Sequence, residues 1–140
     1  MITKFLPRTS LALLATLALA GCGVSGPSNN RQLDFGAGEI LEPNQEGQPQ
    51  STKIHPFTVS KNGEYQLRIT ALSAGPNVPM GLSLGTQAPG GGCAVLREGP
   101  AVLNQLAQSG PMFSGQYCVA IFDIGFLTAP TTYNIRALVP

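Results

Sequence analysis

Residues 65–71 read Tyr-Gln-Leu-Arg-Ile-Thr-Ala, an alternation with no helical counterpart anywhere in the chain. A period of two places Tyr65, Leu67, Ile69 and Ala71 on one face and Gln66, Arg68 and Thr70 on the other, which is a strand with one buried side. Most of the downstream chain follows suit in short apolar runs cut by turn residues. The expected strands are Ile54–Val59, Tyr65–Ala71, Met80–Leu84, Cys93–Leu96, Ala101–Leu106, Gln116–Asp123 and Thr131–Val139. Leu33, Phe35, Ile40 and Leu41 add one or two more, ahead of a Pro/Gln/Glu/Gly-rich loop over 42–51. Turns are expected at Lys61-Asn62-Gly63, a hairpin signal, and at Gly75-Pro76-Asn77, 89–92 and Arg97-Glu98-Gly99-Pro100. Only 104–109 offers a modest helical stretch. Regular short strands with Gly/Pro turns predict an all-β fold, a single β-sandwich or jelly-roll-like domain over 35–140.

Composition supports this reading and removes several functions. Seventeen glycines and twelve prolines, about a fifth of 140 residues, supply the turns. Eight Lys/Arg stand against seven Asp/Glu, too even a balance for a nucleic-acid footprint or an acidic tail.

The first residues read as an address. Lys4 and Arg8 precede an apolar run from Leu11 to Ala20, half the length a membrane-spanning helix needs. Leu19-Ala20-Gly21-Cys22 follows and resembles the bacterial lipobox at all four positions. That resemblance implies cleavage after Gly21, leaving 1–21 as signal peptide, and diacylation of the Cys22 sulfur. Two or three acyl chains hold a protein stably at a membrane, where one is marginal. Residues 22–34 then form the lipidated N-terminus and a polar tether. Gly23, not Asp, follows the cysteine and favours the outer membrane in a cell that has one. Loss of Lys4 and Arg8 turns the formal charge from +1 to −1.

With Cys22 lipidated, Cys93 and Cys118 remain. In an exported domain they most economically form one disulfide, worth about 3 kcal/mol by loop closure; two free thiols or a metal pair are the competing readings. Zinc wants four ligands and the chain has one histidine, His55, so no metal is expected.

Gly63-Glu-Tyr-Gln-Leu-Arg-Ile69 and Gly115-Gln-Tyr-Cys-Val-Ala-Ile121 share a Gly-x-Tyr-x-aliphatic-x-Ile pattern, and Tyr133-Asn-Ile135 repeats its core. Together with Phe57-Thr-Val59 and Leu82-Ser-Leu84, these segments resemble the bacterial pre-peptidase C-terminal domain over roughly residues 35–139. The resemblance implies a small jelly-roll-like sandwich of the kind appended to secreted proteases and other exported proteins. An immunoglobulin-like sandwich fits less well, because Cys118 follows Tyr117 directly and there is no Trp to pack on a bridge.

Each chemically interesting side chain has a plain alternative. Asp123, in Phe-Asp-Ile-Gly, could serve as a calcium or ligand carboxylate but is expected to cap a turn toward Gly125. Asp34, Glu39, Glu42 and Glu46 are spaced too loosely for a calcium loop and read as a solvated face. His55, before Pro56 on an expected edge strand, reads as a structural or surface histidine, since no nucleophile converges on it. Tyr65, Tyr117 and Tyr133 are expected in the core. Gly90-Gly91-Gly92 lacks the Lys-Ser/Thr of a phosphate loop and reads as a flexible turn. An exposed loop over 107–114 offers Met112 and Phe113 as apolar anchors for a partner.

The sequence therefore predicts a lipid-anchored cell-envelope β-sandwich acting as a non-catalytic binding or structural module. It needs no cofactor, touches the membrane through its lipid and has room for an envelope protein partner. The alternatives are an inhibitor or immunity-type lipoprotein that neutralises a secreted hydrolase, or an envelope hydrolase with its site on loops 86–92 and 107–114.

Overall fold

The computed structural model describes residues 30–140; the expected signal peptide, Cys22 and the expected tether as far as residue 29 lie outside them. Nine strands are present among the described residues: β1 Arg31–Phe35, β2 Ile40–Leu41, β3 Thr52–Val59, β4 Gly63–Leu72, β5 Met80–Gln87, β6 Cys93–Ala101, β7 Gln108–Met112, β8 Gly115–Phe122 and β9 Thr131–Val139. They form two antiparallel sheets, β1-β9-β4-β7 with β2 also on β9, and β3-β8-β5-β6. The expected all-β sandwich is the fold.

The core lies between the sheets. Leu67 and Ile69 of β4, Met80 and Leu82 of β5, Val119 and Ile121 of β8 and Ile135 and Val139 of β9 are fully enclosed. Each large aliphatic side chain withdrawn from water contributes roughly 1.5–3 kcal/mol. Tyr65 and Tyr133 join them and Tyr117 is half-buried, so the tyrosines line the core as expected.

Several boundaries differ from the sequence reading. Arg31–Phe35 is not tether but the first strand, paired with β9 from Arg31↔Val139 to Phe35↔Ile135. After it Gly36, at φ +83°, turns the chain around the Tyr133 ring, which a Cβ at that position would overlap. Ala71 is exposed, not inward, because a β-bulge between Ile69 and Ala71 shifts the register and turns Leu72 into the core. Lys61-Asn62-Gly63 closes no hairpin: β3 and β4 belong to different sheets, and the turn crosses between them. Arg97-Glu98-Gly99-Pro100 is not a turn but part of β6. Pro100 is tolerated there because β6 is an edge strand. Of the strand expected over Ala101–Leu106 only Ala101 is extended, as the end of β6; residues 102–106 are a connection, and the expected loop 107–114 contains β7.

Cys93 and Cys118 are joined by a disulfide that ties the edge strand β6 to the central strand β8. The Cys118 side is fully buried.

Candidate functional site

Along one side of the sandwich the edge strands β6 and β7 face each other without pairing. Arg97 stands opposite Leu84 in register, on the side of the sheet that faces β7, and its exposed Nη1 donates to the Ser109 carbonyl of β7 at 2.9 Å. Beside this bridge lies a groove of about 230 Å³ walled by Leu96, Arg97, Pro111, Phe113 and Tyr117, with Met112 beneath. The Tyr117 hydroxyl donates to the Phe113 carbonyl at 2.9 Å and fixes the backbone that carries the Phe113 ring. Phe113 and Leu96 are each 65% exposed. The two large apolar side chains thus stand exposed at the rim of the groove.

The two anchors expected from sequence therefore part company. Phe113 is displayed, whereas Met112 is 2% exposed and packs in the core. The reason is the alternation of β7: Gln108 and Met112 face inward, and Phe113 follows at the strand end. Met112 cannot anchor a partner.

Asp123 caps the turn toward Gly125, as the sequence reading expected. Its Oδ1 accepts from the backbone N–H of Gly125, Phe126 and Leu127 at 2.7, 3.0 and 3.2 Å, and its Oδ2 accepts from the N–H of Asn44 at 2.8 Å. Its main-chain carbonyl takes the side-chain amides of Asn44 and Gln50. Burial pushes the carboxyl up, but the four backbone donors outweigh it and hold the group below the usual carboxylate range. Both carboxylate oxygens are thus engaged by backbone N–H groups. Among the described residues no three His, Cys, Asp or Glu side chains gather as a metal site would require.

His55 is buried, not superficial, because it shares the inward register of Phe57 and Val59 on β3. Around it is a cluster that sequence reasoning missed. The Tyr133 hydroxyl donates to Glu39 Oε2 at 3.0 Å, so its oxygen is left to accept from His55 Nε2 at 2.9 Å. His55 Nδ1 lies 3.9 Å from Glu39 Oε1, and Phe35 stacks on the ring at 5.6 Å. Burial lowers the imidazole below its ordinary pKa against the opposing pull of Glu39. Burial and the hydrogen bond to Glu39 push the Tyr133 phenol up. Glu39 thus belongs to a seam between the sheets, and Asp34 pairs with Arg136 at 3.0 Å. Both stay exposed, as do Glu42 and Glu46, so the stretch is the solvated face expected, with Glu39 and Asp34 also holding partners. The alternation from His55 through Val59 was the available signal for the buried ring; nothing local marked Glu39.

The outer face of the β3-β8-β5-β6 sheet carries a second hollow, about 300 Å³, over Gly81, Pro100, Phe122 and Ile124. The Phe122 ring lies over Gly81 and forms one wall of it, in space that a Cβ at 81 would occupy.

No protein-family model matches the chain, and no curated protein matches its sequence. Among solved structures the chain is similar to the pre-peptidase C-terminal domain of the collagenase from Bacillus anthracis, with TM-score 0.46 and 13% identity over 79% of this chain and 89% of that one. It is also similar to a protein from Sulfurospirillum deleyianum, with TM-score 0.43 and 8% identity over 80% and 98% of the two chains. Both superpositions are too loose for residue-by-residue transfer.

Proposed function

We propose that the protein is a lipid-anchored, non-catalytic module of the bacterial cell envelope, held through acylated Cys22 at the outer membrane in a cell that has one. The observation that carries the non-catalytic part is how the reactive groups are spent. His55, the one histidine of the chain, is buried with its Nε2 engaged by Tyr133. Cys93 and Cys118 are oxidised to each other, and both oxygens of Asp123 are occupied by backbone donors. What the surface offers instead is shape and apolar contact at the groove beside Phe113.

The anchor rests on the Leu19-Ala20-Gly21-Cys22 motif. Cells fed radiolabelled or alkyne palmitate should incorporate it into the wild-type protein and not into Cys22→Ala, which should remain in the precursor form. Equal labelling of the two would sink the anchor. Hydrolysis of a peptide, ester or glycoside substrate by purified protein, abolished in His55→Gln, would sink the non-catalytic reading.

A further inference from the structure

We infer that the end of the sandwich bearing Phe113 rests on the anionic phospholipid surface in which the chain is anchored, so that the domain is docked by its own side chains as well as tethered. This inference rests on acylation at Cys22.

The route of the chain fixes which end faces the bilayer. Asn30 Nδ2 donates to the Glu64 carbonyl at 2.9 Å, and Arg31 Nη2 donates to the Thr58 carbonyl at 2.6 Å. The N-terminus therefore leaves the fold beside the β3–β4 turn. The same end collects Pro140, against which Gly63 packs, and the β7–β8 connection, where the N–H of Ser114 donates to Asn62 Oδ1 at 2.9 Å. Phe113 lies in that connection, 65% exposed. From Cys22 to Asn30 the chain can reach at most about 28 Å even if fully extended. The membrane-facing end is thus never more than a few nanometres from lipid, and it displays an apolar ring that can bury itself at the boundary of headgroups and acyl chains.

Charge is distributed to match. The end nearest the N-terminus carries Arg31 and Lys61 against Glu64 and the Pro140 carboxylate, close to neutral. The far half carries Glu39, Glu42, Glu46 and Asp123 against Lys53. Strands of eight residues, such as β8, put about 25 Å between the two ends. An anionic surface repels the acidic far end and not the near-neutral first end, where Arg31 and Lys61 can meet lipid phosphates. The far loops also display an aromatic ring, Phe126, 59% exposed. Exposure alone does not separate the two ends; tether and charge do.

The chain has no Trp, so one indole reports one position. The test uses full-length acylated F113W and F126W proteins reconstituted into phosphatidylethanolamine–phosphatidylglycerol vesicles, with and without brominated acyl chains. Both substitutions exchange one exposed ring for another, and a thermal melt matching wild type confirms folding. F113W is expected to lose about half or more of its emission to bromine, while F126W stays unquenched. Adding Lys61→Glu, or raising the salt, should reduce the quenching of F113W. Equal or greater quenching of F126W overturns the inference. So does an F113W emission that shifts to the blue without bromine quenching, which would mean that protein covers the ring. Intact mass separates the two failures. Acylated protein with unquenched F113W overturns the contact and leaves the anchor standing; protein without acyl chains overturns both.

Discussion

Replacing Asp123 by asparagine tests how the long loops are held, and its cost can be worked from the contacts. The Asp123 side chain lies in a residue that is 1% exposed, with three backbone N–H groups on one oxygen and the Asn44 N–H on the other. An asparagine amide oxygen can keep the three-donor side, but its NH₂ then faces the Asn44 N–H, donor against donor. One charge-assisted bond is lost and the rest weaken, for about 2–3 kcal/mol. Alanine loses all four bonds. Water recovers the donors of exposed Asn44, Gly125 and Phe126 but not that of buried Leu127, which brings the cost to roughly 3–4 kcal/mol. For a domain of this size that lowers Tm by roughly 10–15 °C. Urea unfolding followed by circular dichroism at neutral pH is the assay, and the slope of the transition should not change. A second reading comes from acid. Because the folded Asp123 carboxyl sits below its ordinary 3.8, its contribution is present above that pH and lost as pH falls through the folded value; Asp123→Asn should flatten that part of the profile. Asparagine within about 0.5 kcal/mol of wild type, or a wild-type Tm raised by millimolar calcium, would refute the reasoning.

Three further outcomes follow from the same contacts. Reducing the Cys93–Cys118 bridge, or replacing both cysteines by serine, should cost about 3 kcal/mol by loop closure; a melt indifferent to reductant contradicts it. Met112→Ala should cost about 2–4 kcal/mol as a core cavity while Phe113→Ala stays within about 0.5 kcal/mol, and equal effects on urea unfolding would contradict that division. His55, held by burial below its ordinary 6.5, favours the fold above that pH, and stability should be lost as pH falls from 6.5 through the folded value. His55→Leu should remove this limb, and an unchanged slope between wild type and variant would contradict it.

The strand content was legible in the residues because burial on one face leaves a period-two record. Thr131–Val139 is found at its expected bounds, and the doubly apolar segment from Gln116 is the central strand β8. What was not legible is the partnering of turns. Asn62-Gly63 carries hairpin chemistry, yet whether the next strand returns beside its neighbour or crosses to the other sheet depends on where each apolar face must go, which no four residues encode. The bulge beyond Ile69 is similar: it answers the register of β9, a partner more than sixty positions downstream. The stretch from Arg97 to Pro100 misled for a related reason. Gly and Pro mark turns on average, but an edge strand with one free side tolerates both.

At the candidate site the same division appears. Phe113 could be singled out as an aromatic among small polar residues, but its neighbour Met112 reads alike in sequence and faces the opposite way in the fold. Asp123 was recognisable as a turn cap from Gly125, while its bond to Asn44 spans 79 positions. The His55–Tyr133–Glu39 seam joins three segments that share no local pattern.

The most direct measurement is the non-reduced intact mass of the protein extracted from cell membranes. The expected species begins at Cys22, carries two or three acyl chains, and is two hydrogens lighter than the dithiol. A chain that begins elsewhere, or an unmodified Cys22, would contradict the anchored module at its foundation.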